Sequence, residues 1–67
     1  MKISEKFKLV RERLGLSQES LSKKIGVSFA TINRIETEKT LPCYQTLQSF
    51  DSFCEEHKKE LEGILND

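Results

Sequence analysis

At 67 residues the chain has room for one domain, and a chain this small buries only about 60% of its unfolded surface, so every core position counts. Eleven Lys and Arg balance eleven Asp and Glu, and a net charge of zero by itself argues against a nucleic-acid partner. The halves differ: residues 1–40 hold nine basic residues against five acidic ones, a net +4, whereas residues 41–67 hold two against six, a net −4. One end is suited to binding an anionic partner and the other to solvation, with weak phosphate affinity unless the chain dimerises. Charges at Lys2, Glu5, Lys6 and Lys8 interrupt the start, leaving no apolar span and no secretory signal, which favours a cytoplasmic protein without membrane contact. One Pro, three scattered Gly and the absence of strand-like alternation point to an all-α fold.

Met1 to Leu14 reads as the first helix, with Ser4 as N-cap, Glu5 in its first turn, and Phe7, Val10 and Leu14 as the buried stripe bordered by Leu9. Gly15 ends it and Leu16 turns the chain inward. Ser17 caps a second helix over Gln18 to Ile25, whose inward residues Leu21 and Ile25 are spaced i, i+4. Lys23 and Lys24 point outward, either as solubilising charges or as nucleic-acid contacts. Gly26 takes the left-handed conformation that stops this helix, and Ser28 caps the next. That third helix runs from Phe29 to Thr37, with Ile32 and Ile35 in the core. Two capped helices joined by a sharp glycine turn describe a helix-turn-helix unit over residues 18–37.

Thr40-Leu41-Pro42 connects to a fourth helix from Tyr44 to Phe53, with Leu47, Phe50 and Cys54 on one stripe, Leu41 dropping into the core and Cys43 a poor cap. Residues 55–67 read as a C-terminal helical segment, with the apolar Leu61, Ile64 and Leu65 on an otherwise charged helix that Gly63 weakens. Two readings stay open: the segment folds back on the first helix around Ile3 and Phe7, or it continues the fourth helix or packs on a twin. Cys43 and Cys54 sit too far apart on one helix to bridge, and read as reduced thiols. Cys54 and His57, at i, i+3, supply two metal ligands where structural zinc takes four, so no metal and no cofactor is expected.

The run LSQESLSKKIGVSFATINRIE resembles the phage-repressor and Cro type of helix-turn-helix, the XRE class, over about Arg11 to Pro42. The resemblance implies a lambda-repressor-like DNA-binding domain, a bundle of four to five helices spanning residues 1–67. It further implies that Arg11 pairs with Glu36 and clamps the first helix onto the third. In helix-turn-helix proteins the first residues of this third helix meet base edges in the major groove of double-stranded DNA, and the resemblance implies the same here. Phe29 and Ala30 hold the positions from which the family most often reads bases, and as apolar side chains they suit thymine methyls. Arg34, one turn on, suits a guanine or a phosphate. Asn33 and Thr31 suit either; we assign Asn33 to bases and Thr31 to phosphates. Gln18, at a helix start where anions bind well, holds the DNA backbone in the family, and Ser28 and Lys39 face it similarly. The family typically binds as a homodimer on two half-sites.

Three positions depart from the family pattern. Ser22 stands where a small Ala is usual, so its hydroxyl needs a partner one turn back. Glu38 replaces a Gly, where a left-handed Glu is strained and its charge lies near the phosphate path. Asp51 replaces a small apolar residue. With one His and no nucleophile–base pair, there are no catalytic residues to name and an enzyme is not expected. The reading is therefore a sequence-specific transcriptional repressor. The alternative is a protein-interaction module, such as the antitoxin of a toxin–antitoxin pair, supported by the neutral charge, Glu38 and an exposed aromatic at Phe29.

Overall fold

The computed structural model describes residues 1–64, and within them the chain forms four α-helices and no strand. They are α1 (Ile3–Arg13), α2 (Gln18–Ile25), α3 (Phe29–Glu36) and α4 (Tyr44–Glu56). No helix among the described residues is long and apolar enough to cross a membrane.

The helix boundaries follow from local chemistry. Ser17 Oγ accepts from the Ser20 N–H at 3.0 Å and Ser28 Oγ from the Thr31 N–H at 3.1 Å, so each oxygen satisfies one orphan donor of a helix start. Gly26, at φ 74°, ends α2 in the left-handed region, and the Val27 N–H returns to the Ser22 carbonyl at 2.9 Å. The expected cap at Ser4 is not used. Lys2 is the N-cap of α1, and Ser4 lies inside the helix, buried at 5% exposure, because Ile3 must turn inward to pack on the core. Glu5 reaches back to accept from the Lys2 N–H at 3.4 Å.

The core joins Phe7 and Val10 of α1, Leu21 and Ile25 of α2, Ile32 and Ile35 of α3, and Phe50, Phe53 and Cys54 of α4. Helix α3 packs on both α1 and α2, and α2 also packs on α4. Phe7 and Phe50 stack with ring centroids 3.8 Å apart and planes 8° from parallel, tying the first helix to the last. Full burial of a side chain such as Leu21 contributes about 1.5–3 kcal/mol. Ser22 Oγ donates to the Glu19 carbonyl at 2.6 Å, so the small polar residue is buried at the α2 interface with its hydroxyl satisfied.

Three expectations change in the second half. Helix α4 runs three residues past Phe53, which puts Phe53 in the core beside Phe50 and Cys54 while Leu47 is half-buried. Leu41 does not enter the core. It is 79% exposed and stands on the rim between two depressions whose walls it shares with Ile35. After α4 the chain does not continue as a helix. It makes successive turns that carry Leu61 into the core, with Ile64 packed against it, and Arg13 Nη1 donates to the Glu60 carbonyl at 3.4 Å. The fold-back reading therefore holds for Leu61 and Ile64, anchored at the C-terminal end of α1; Leu65 lies outside the described residues. No fifth helix forms among the described residues.

Candidate nucleic-acid interface

Helix α3 has two unlike sides. Ile32 and Ile35, exposed 0% and 1%, fix one side against the core. The other side presents Phe29, 52% exposed, together with exposed Ala30 and Arg34 and half-buried Asn33. Residues three and four apart share a helical face, so these four form two adjacent rows, Phe29–Asn33 and Ala30–Arg34. Thr37 closes the helix, its Oγ1 donating to the Asn33 carbonyl at 2.7 Å.

Behind this surface lies a polar network that holds three helices together. Arg11 of α1 donates from Nε to Glu36 Oε2 and from Nη2 to Glu36 Oε1, each at 2.9 Å, and from Nη1 to the Leu16 carbonyl at 3.1 Å. The fork geometry matches the two carboxylate oxygens, the strongest form of this pair. The side chains are 15% and 4% exposed, so this is a desolvated pair rather than two solvated charges. Burial pushes the Glu36 carboxyl up, but hydrogen bonds from Arg11 and Gln18 outweigh it and hold the group below its ordinary value. The hydrogen bonds that Arg11 donates to Glu36, against the cost of burial, raise the Arg11 guanidinium above its ordinary value. Gln18, the first residue of α2, donates from Nε2 to Glu36 Oε1 at 3.0 Å and accepts at Oε1 from Asn33 Nδ2 at 3.2 Å. The first residue of α2 and the outer row of α3 are thus joined to the ion pair.

The remaining predicted contacts lie around this centre. Ser28 and Thr31 share a hydroxyl–hydroxyl bond of 2.9 Å at the start of α3, where the helix dipole favours an anion. Lys39 is exposed just past α3. Between Lys39 and the end of α3 sits Glu38, whose φ of 62° makes it the one non-glycine in the left-handed region among the described residues. Its N–H bonds to the Ile35 carbonyl at 3.2 Å and that of Lys39 to the Arg34 carbonyl at 2.9 Å, the two bonds of a Schellman ending. The Glu38 carboxylate meets Lys2 Nζ at 3.4 Å, an exposed pair that partly masks its charge. Lys23 pairs with Glu19 along α2 at 3.6 Å, and Lys24 lines a groove with Asp51 and Glu56 of α4.

Sequence reasoning missed the Gln18–Asn33 and Gln18–Glu36 bonds. Amide pairs 15 and 18 residues apart leave no spacing signal, and only the positions of two helix faces bring them together. It also missed the Leu16 carbonyl as a third partner of Arg11. Elsewhere, His57 rests on the Phe53 ring with centroids 4.6 Å apart, and no group of three or more His, Cys, Asp or Glu is placed to hold a metal among the described residues.

A family model described as helix-turn-helix matches residues 7–60. No curated protein and no solved structure matches the chain. The match covers all of α2 to α4 and all but the first turn of α1, including the network and the exposed face of α3. The chain belongs to the phage-repressor and Cro type of helix-turn-helix family, whose members are DNA-binding regulators.

Proposed function

We propose that the protein is a sequence-specific transcriptional regulator, a small dimeric repressor that lays α3 in the major groove of double-stranded DNA. The observation that carries this reading is the outer face of α3, where Phe29, Ala30, Asn33 and Arg34 stand together beside the N-terminus of α2. Phe29 and Ala30 contact thymine methyls, Arg34 forks onto a guanine and Asn33 meets a base edge. Gln18, Ser28, Thr31 and Lys39 hold phosphates on the flanks, three of them at helix starts. Two copies read two half-sites one helical turn apart.

Arg34→Ala is expected to cost about 1–3 kcal/mol on the preferred duplex and to relax the requirement at one base pair. Lys39→Ala is expected to weaken all duplexes alike and to make the salt dependence shallower by about one counterion. Binding titrations over several duplexes and salt concentrations separate the two, and an equal loss on every sequence from Arg34→Ala contradicts the readout role. A second reading, a protein-interaction module or antitoxin, has one specific support: Phe29, a large aromatic exposed at the head of α3.

A further inference from the structure

We propose that Asn33 is a specificity-determining residue that selects adenine, its amide polarity set by the part-buried Arg11–Glu36 pair acting through Gln18. The inference rests on the groove-reading function proposed above. The polar chain has one consistent direction. Arg11 carries only donors and the Glu36 carboxylate only acceptors. The Gln18 atom 3.0 Å from Glu36 Oε1 must then be Nε2, which turns Gln18 Oε1 toward α3. An oxygen there requires a donor, so the Asn33 atom 3.2 Å away is Nδ2. Turning the Asn33 amide over would set oxygen against oxygen. Turning Gln18 over would set its oxygen against a carboxylate whose side chain is 4% exposed.

What remains for a partner is Asn33 Oδ1 and the second hydrogen of Nδ2. Asn33 stands one turn beyond Phe29 on the same row of α3 and is half-buried. An acceptor beside a donor matches adenine, which offers the N6 amino group and the N7 acceptor in the major groove. Guanine presents O6 where Oδ1 requires a donor, and thymine presents O4 and a methyl group. Cytosine offers one amino group without the neighbouring acceptor, so it makes one bond where adenine makes two. An Asn33 released from Gln18 can turn over and give Nδ2 to guanine O6. Base choice at the surface is thus dictated by a part-buried charge pair behind α3.

The test starts from the duplex that the full chain enriches from a random pool. Every single-base variant of that duplex is titrated with wild type, Asn33→Ala and Gln18→Leu, both substitutions to strong helix formers that keep the Arg11–Glu36 pair. The wild type is expected to prefer adenine over guanine at one position by about five- to a hundredfold. Asn33→Ala is expected to bring that ratio close to one at that position alone. Gln18→Leu is expected to lower the same ratio by admitting guanine, besides weakening all duplexes through a lost phosphate contact. A purely structural role would weaken every duplex by one factor and leave the ratio intact, and that result overturns the proposal. So does an Asn33-dependent position that prefers another base. An enriched duplex with no Asn33-dependent adenine overturns this inference alone, whereas a wild type that enriches nothing overturns it together with the groove-reading function.

Discussion

Glu38 shows how a single residue can carry a cost at the edge of an interface. Its φ of 62° places an L side chain where glycine is at ease, and the Schellman hydrogen bonds of Glu38 and Lys39 leave the backbone no other course. Glu38→Gly removes left-handed strain of about 1–2 kcal/mol but adds unfolded-chain entropy of about 0.4–1 kcal/mol. A net gain of about 1 kcal/mol is expected in urea unfolding; an unchanged or lower midpoint contradicts the strain. Glu36 carries the opposite balance. Its carboxyl lies below its ordinary value when folded, so its contribution is present above the unfolded value of about 4.5 and is lost as pH falls through the lowered folded value. Glu36→Gln leaves Arg11 without its charge partner and is expected to cost about 3 kcal/mol near pH 7. That difference should shrink as pH falls below 4.5. A difference constant between pH 7 and pH 3 would sink the linkage.

At the scale of elements, legibility tracks how local the cause is. Helix α2 and the start of α3 were readable residue by residue, because Ser17, Gly26 and Ser28 each act within a turn of themselves. The distal end of α4 was not. Phe53 and the three residues after it are helical because Phe53 packs beside Phe50, a tertiary gain with no punctuating Gly or Pro to mark it. Leu41 is exposed for a related reason: whether an apolar connector residue enters the core is decided by tertiary packing, and no local spacing signals it. The turns after α4 were legible only as two alternatives, since Leu61 fits either a fold-back or a twin. Its full burial assigns it to the domain's own core. Leu61→Ala is expected to destabilise by about 2–5 kcal/mol. A loss below 1 kcal/mol in denaturant unfolding would mean that these turns do not close the core.

For the whole molecule, a net charge of zero conceals an uneven distribution of charge. The basic half contains α1 to α3, and with them the exposed face of α3 and the flanking Gln18, Ser28 and Lys39. The acidic half contains α4 and the turns that close the core. The candidate site was legible as a face, because the spacing of Ile32 and Ile35 decides which residues of α3 turn outward. Its wiring was not, because Arg11, Gln18, Asn33 and Glu36 come from three helices and meet only in the folded chain. Under the proposed groove-reading function, that wiring would make readout a property of the bundle rather than of α3 alone.

Selection of bound duplexes from a random DNA pool, at low and at near-physiological salt, tests the central claim most directly. The account predicts enrichment of an inverted repeat with half-sites one helical turn apart, rich in A and T and carrying one indispensable guanine per half-site. Enrichment of a single half-site would keep the readout and remove the dimer. Weak, salt-sensitive binding without any enriched sequence would contradict sequence-specific readout and favour a protein partner at Phe29 instead.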